Sequence, residues 1–248
     1  MTMTMSTLTP TRRVTVMDND VSLINLLRVM QFGDSVFPIG AFSFSNGVES
    51  AVQVGLVHDV ASLRQFVETS LHQASRCDAV GLAHAHRAFN ANDTNALLAI
   101  DREILNRKLN EESRTMAQRM GKKLAEVATK TLDSALLTEW LGQIKAGSTP
   151  GTLPVSQAIV MGVQGIGISE TLAMHCYGVV MTILSAAQRL MRITHYDSQR
   201  ILHDIIPLMP ELCRFSAHAG LDDMSSHVPV IDILAAVHVD AHVRLFMN

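Results

Sequence analysis

The chain has 248 residues, enough to bury a large core in one domain or two small ones. Hydrophobic residues make up 48% and charged residues 17%, which excludes wholesale disorder, and a net charge of -3 excludes a nucleic-acid binder driven by phosphate neutralisation. With only 4% aromatics, aliphatic side chains and 14 methionines must fill the interior, a composition that favours packed helices over a sandwich or barrel.

Residues 1–20 are Thr- and Met-rich, carry Arg12 and Arg13, and lack the apolar run of a secretory signal, so they read as a loose leader ahead of one domain over 21–248. Leu23, Leu26, Leu27 and Met30 then recur at helical spacing and predict a short first helix. The stretch 33–47 breaks it with Pro38 and glycine turns. Asn46 offers an N-cap with Glu49 three residues on, and Gly55 can close that second helix in the left-handed conformation. Asp59 opens the next, with Leu63, Phe66, Val67 and Leu71 as its apolar stripe. Residues 77–89 form another, ended by a polar turn at 90–95, and Leu97, Leu98, Ile104, Leu105 and Leu109 mark its successor.

From 111 to about 131 the inward positions are Met116, Met120, Leu124 and Val127, with Arg114, Arg119, Lys122 and Lys123 on the wetter side. Leu136, Leu137, Trp140, Leu141 and Ile144 supply one more amphipathic pattern. The stretch 146–154, with Gly147, Pro150, Gly151 and Pro154, is the clearest loop. Beyond it come a glycine-rich segment at 156–168, a long helix over 169–192 and a shorter one near 197–206. A Pro207–Pro210 break, a helix at 211–219 and a closing helix from 229 towards 246 complete the chain. The part of the long helix at 171–187 falls short of the roughly 20 apolar residues that a bilayer demands, so it is expected in a core or an interface. The reading is all-α: a single-domain helical bundle of about ten helices.

Several chemistries can be tested by motif. Neither a Gly-x-Ser-x-Gly elbow nor a His-Glu-x-x-His pair is present. Gly162, Gly165 and Gly167 lack the Lys-Ser/Thr of a phosphate loop and follow no strand. They read as points where two backbones approach, and the chain is not expected to bind a nucleotide by itself. Cys77, Cys176 and Cys213 are too few and too scattered for a disulfide framework and fit a reducing, intracellular compartment. His238 and His242 lie four apart on the predicted last helix, where both imidazoles can project from one face as a metal pair needs. With only Asp240 nearby, the pair lacks the further ligands and supporting carboxylates of a stable site, so weak, transient binding is expected. The rival reading is an all-α metalloprotein or enzyme using His238 and His242. The segment 31–49 crowds Phe37, Phe42 and Phe44 into one loop, which is either a docking surface or a loop tucked under the core.

That segment, with Phe37, Pro38, Ile39, Gly40, Phe42, Ser45, Gly47, Val48 and Glu49 in register, resembles the signature of the UreF family of urease accessory proteins. Further matches follow in order. They are Arg114 with Met120 and Gly121, the small residues from Ala158 to Gly162, and Ala186, Ala187, Gln188, Arg189 and Leu190 with Gln199 beyond. Pro229, Asp232, Ile233 and His238 come next, and then Arg244, Leu245, Phe246, Met247 and Asn248 at the end. The resemblance runs from Leu23 to Asn248. It departs at Phe44, where many relatives carry His or Tyr, and at Asn248, where the family's last residue is Ser.

The resemblance implies an all-α, cytoplasmic, non-catalytic protein that helps install nickel in urease. Such a protein forms a homodimer, binds the accessory protein UreD (also called UreH) and recruits the GTPase UreG onto the urease apoprotein. It implies no tightly bound cofactor, at most transient nickel, GTP hydrolysis only in the partner, and neither a nucleic-acid nor a membrane partner. The matching positions make Phe37, Phe42, Phe44, Glu49, Arg244 and Phe246 the candidate partner-binding residues. Phe42 and Arg244 are the expected GTPase-facing pair, since aromatic and arginine side chains dominate interface hot spots.

Overall fold

The computed structural model describes residues 18–226, 228, 230, 233, 234, 245 and 246. Every regular element among them is helical, as the periodicity predicts. In chain order they are α1 (Asp18–Gly33), α2 (Val48–Gln53), α3 (Val60–Arg76), α4 (Asp78–Asn90), α5 (Thr94–Asn106), α6 (Glu111–Thr131), α7 (Ala135–Lys145), α8 (Leu153–Val163), α9 (Ile168–Leu190), α10 (His195–Ile205) and α11 (Met209–His218). Short 3-10 turns occupy Ala41–Ser43, Ile206–Leu208 and Leu221–Asp223.

Local chemistry sets many of these boundaries. Asp59 and Ser62 cap α3 reciprocally, Asp93 accepts from the Ala96 amide at 2.9 Å to start α5, and Asn110 accepts from Ser113 at 2.8 Å to start α6. Gly55 follows α2 with φ +77°. The glycine-rich stretch beyond the 146–154 loop is the main departure from expectation: it is helix α8. Pro154 sits in the first turn, where a missing amide costs nothing, and Pro154 through Met161 are all buried. A helix buried on almost every side shows no amphipathic stripe, so the segment carries no helical pattern in the sequence. Of the three glycines singled out there, only Gly162 meets a distant element, since a Cβ on it would run into the Phe89 ring. Gly165 faces open space and Gly167 only the Glu170 side chain, whereas in α6 a Cβ on Gly121 would meet the backbone of Gly151.

Two helices organise the interior. α8 packs against α4 and α6, and α9 packs against α3 and α11 with α1, α2 and α4 around it. Leu172, Val180, Ile183 and Leu184 of α9 are fully or almost fully buried in the main core. At 23 residues, α9 is the one described helix long and apolar enough to cross a membrane by length and composition. Its packing is that of a core helix.

The loop before α8 is pinned rather than free. Asp101 of α5 is completely buried, and its carboxylate accepts four hydrogen bonds from that loop. They come from the Thr149 hydroxyl (2.6 Å), the Gly151 amide (2.6 Å), and the Thr152 amide (2.8 Å) and hydroxyl (2.6 Å). A buried carboxylate is tolerable because these donors satisfy it.

Candidate functional site

The loop between α1 and α2 resolves the open question about its aromatics by doing both things. Phe32, at the end of α1, stacks on Phe37 with ring centroids 4.8 Å apart, and Phe37 is half-buried. Phe44 points into the core. Phe42, two residues earlier on the 3-10 turn, is 69% exposed. The 3-10 turn over Ala41–Ser43, followed by an extended Phe44, sends the two rings different ways.

The chain then reverses into α2 through two consecutive left-handed residues, Asn46 (φ +52°) and Gly47 (φ +83°). Gly47, not Asn46, occupies the N-cap, and no side chain caps the helix. Glu49 is therefore free of the capping-box role expected of it. It is only 1% exposed, and its carboxylate accepts from the backbone amides of Leu245 (2.7 Å) and Phe246 (3.2 Å). A side chain in the first turn of α2 thus holds the far end of the chain.

Arg189, in the last turn of α9, completes the clamp. Its guanidinium carbon lies 3.8 Å from the Phe42 ring centroid and 4.0 Å from that of Phe246, so the cation is sandwiched between two aromatic faces. It also donates to the Phe42 carbonyl at 2.8 Å. Burial draws the Arg189 pKa down, and the Glu49 charge nearby opposes that shift.

Of the residues singled out from sequence, the structure brings Phe42, Glu49 and Phe246 together. Phe44, Glu49 and Phe246 are buried rather than surface residues. The Phe44 ring is enclosed, and the carboxylate and terminal ring are engaged in tying the chain end down. Arg244, His238 and His242 lie outside the described residues. Arg189 was missed as a site residue. The signal available was an arginine at the end of an otherwise apolar helix.

A cavity of about 170 Å³ adjoins the clamp, with Phe42, Arg189, Phe32, Asp78, Lys108 and His175 among its lining residues. Lys108 lies 2.6 Å from Asp78, and both are mostly buried. His175 of α9 is bonded through Nδ1 to the Gln157 Oε1 at 2.8 Å, and its Nε2 has no hydrogen-bond partner among the described residues. Burial pushes its pKa below the ordinary 6.5, with Asp78 opposing and Lys108 reinforcing that shift. No group of three or more metal-ligating side chains occurs among the described residues. What the clamp offers chemically is recognition: an exposed aromatic plate held in place by a stacked cation.

A family model described as UreF matches residues 57–206. Two urease accessory proteins UreF, from Yersinia pseudotuberculosis serotype IB (strain PB1/+) and Yersinia pestis (strain Pestoides F), are each 57% identical to the chain over 224 residues. A third, from Yersinia enterocolitica serotype O:8 / biotype 1B, is 56% identical over the same length. Each alignment covers 90% of this chain and 98% of the relative. An all-α chain aligned almost end to end with these relatives is a urease accessory protein. The chain belongs to the UreF family. The span of the family model includes Arg189 but stops short of Phe42, Glu49 and Phe246, so most of the clamp lies beyond it.

Proposed function

We propose that the chain is a non-catalytic adaptor of urease maturation in the cytoplasm. It joins UreD (UreH), the GTPase UreG and the urease apoprotein, so that GTP hydrolysis in UreG is coupled to nickel insertion. The observation that carries this reading is Phe42: a large ring, mostly exposed, yet fixed from behind by Arg189 and, through Phe246 and Glu49, by the chain end. An aromatic anchor that is exposed and already immobilised loses little entropy on binding. Phe42 and Arg244 face the GTPase in this scheme. Phe37, Phe44, Glu49 and Phe246 act by positioning them.

A second surface supports a macromolecular role. Leu23, Leu26, Leu27 and Met30 of α1 are all exposed, a stripe of the kind that oligomer and partner interfaces cover. We assign it to the homodimer or to UreD. The chain from α1 onward, which begins at Asp18 rather than after residue 20, forms the working unit behind the leader. Nickel is transient cargo, touched at most weakly by His238 and His242, and no cofactor is held tightly.

The test is co-purification of UreG, in the presence of the other urease accessory proteins and GTP, by variants Phe42→Ala and Arg244→Ala. Each is expected to lose the GTPase while keeping the circular-dichroism signal of the parent. Undiminished recruitment by both rejects the assignment. Metal analysis of the same purified material is expected to find little or no nickel, whereas about one ion per chain points to a resident metal centre.

A further inference from the structure

Cys176 of α9 and Cys213 of α11 take no part in the scheme above, yet their sulfurs lie 3.9 Å apart where the two helices pack. We propose that this pair is a reactive dithiol that a hydroperoxide converts to an intramolecular disulfide. The geometry is that of a reduced cystine: closing to the bond length of about 2.05 Å requires under ~2 Å of sulfur movement. Both thiols are free and both belong to the main apolar core.

Burial differs between the two, and that difference orders the chemistry. Cys176 is wholly enclosed, while Cys213 keeps 8% of its surface in contact with solvent. The sulfur–sulfur contact and then enclosure push the Cys176 thiol up, and the same contact draws Cys213 down, so Cys213, the more accessible sulfur, ionises and meets oxidant first. Its thiolate attacks one oxygen of the peroxide. The O–O bond breaks, Cys213 becomes a sulfenic acid, and the other oxygen leaves with a proton as an alcohol, or as water when the oxidant is hydrogen peroxide. The Cys176 sulfur then attacks the sulfenic sulfur. The S–S bond forms, hydroxide departs, and it takes the Cys176 proton to leave as water. Two thiols and one hydroperoxide give one disulfide, one alcohol and one water, and the two electrons pass to the peroxide.

The surroundings favour this product over a thiolate-bound metal. Among the described residues no third His, Cys, Asp or Glu joins the two sulfurs to complete a metal-binding group, whereas a disulfide needs only the pair. The new bond would join residues 37 positions apart and enclose all of α10, tying the helix that bears Arg189 to α11. A thiol reductant reverses it.

The unmodified protein suffices for the test, because trypsin places each cysteine on its own peptide: 77–87, 146–189 and 201–214. Folded protein is treated with stoichiometric hydrogen peroxide, alkylated with N-ethylmaleimide in denaturant, digested without reductant and mapped by mass spectrometry. The expected result is a linked pair, 146–189 with 201–214, lighter by two hydrogens than the sum of the free peptides. Cys77 should remain alkylated, dithiothreitol should restore both thiols, and the oxidised protein should melt several degrees higher. In Cys176→Ser, the sulfenic acid on Cys213 should persist and be trapped by dimedone. Recovery of Cys176 and Cys213 both alkylated after peroxide overturns the proposal. So does a sulfinic acid on Cys213 beside free Cys176, or linkage to Cys77 or to a second molecule.

Discussion

Glu49 accepts hydrogen bonds from two backbone amides near the chain end, those of Leu245 and Phe246. Glu49→Gln leaves one oxygen and turns an amide group toward the second N–H, so one bond is lost and a donor faces a donor. The expected outcome is faster hydrogen exchange at Leu245 and Phe246, corresponding to a loss of roughly 1–3 kcal/mol of local protection, with the rest of the protein unchanged. His175 titrates in the opposite setting. Its pKa is depressed in the folded state by burial, so at mildly acidic pH the unfolded chain binds more protons than the native one. The stability it allows is therefore complete above the ordinary value of 6.5 and is lost as pH falls below it, by at most about 1.4 kcal/mol per pH unit. Thermal melts of the parent and of His175→Gln between pH 7.5 and 5 should diverge in slope, the variant falling less steeply. Parallel curves contradict the assignment.

Among the elements, the pinned loop before α8 carries the sharpest expectation. Asp101→Ala removes the acceptor for four donors from one buried loop, two amides and two hydroxyls, and should cost roughly 3–5 kcal/mol, read as a shift of the urea midpoint at unchanged m-value. The sequence made some elements plain and hid others for physical reasons. The span of α6 was legible because its charged face and apolar stripe agree, although Met116 and Val127 of that stripe are only half-buried and Ala117, Gly121 and Ala128 lie inward beside Met120 and Leu124. α8 was hidden because burial on all sides erases periodicity, and because proline in a first turn looks like proline in a loop. The loop at 33–47 was legible as a loop. Which of its phenylalanines points outward was not, since that depends on the 3-10 turn that separates Phe42 from Phe44. Asn46 looked like a cap, but a left-handed backbone there hands the position to Gly47 and frees Glu49 for a partner some 200 positions away. Contacts over that separation leave no local trace in a sequence.

At the scale of the whole molecule, α9 connects the parts. It is the core helix, it lines the cavity with His175, it contributes Cys176 to the dithiol, and its last turn delivers Arg189 to the clamp. The clamp also has an electrical consequence. The Arg189 cation lies within the field of the Glu49 anion and is spread against two rings, so the plate that Phe42 presents is close to neutral. Docking on such a plate depends on apolar contact rather than on long-range attraction. The effect of Phe42→Ala on the proposed GTPase recruitment should therefore be nearly the same at low salt and at several hundred millimolar sodium chloride, whereas the effect of Arg244→Ala should shrink as salt rises.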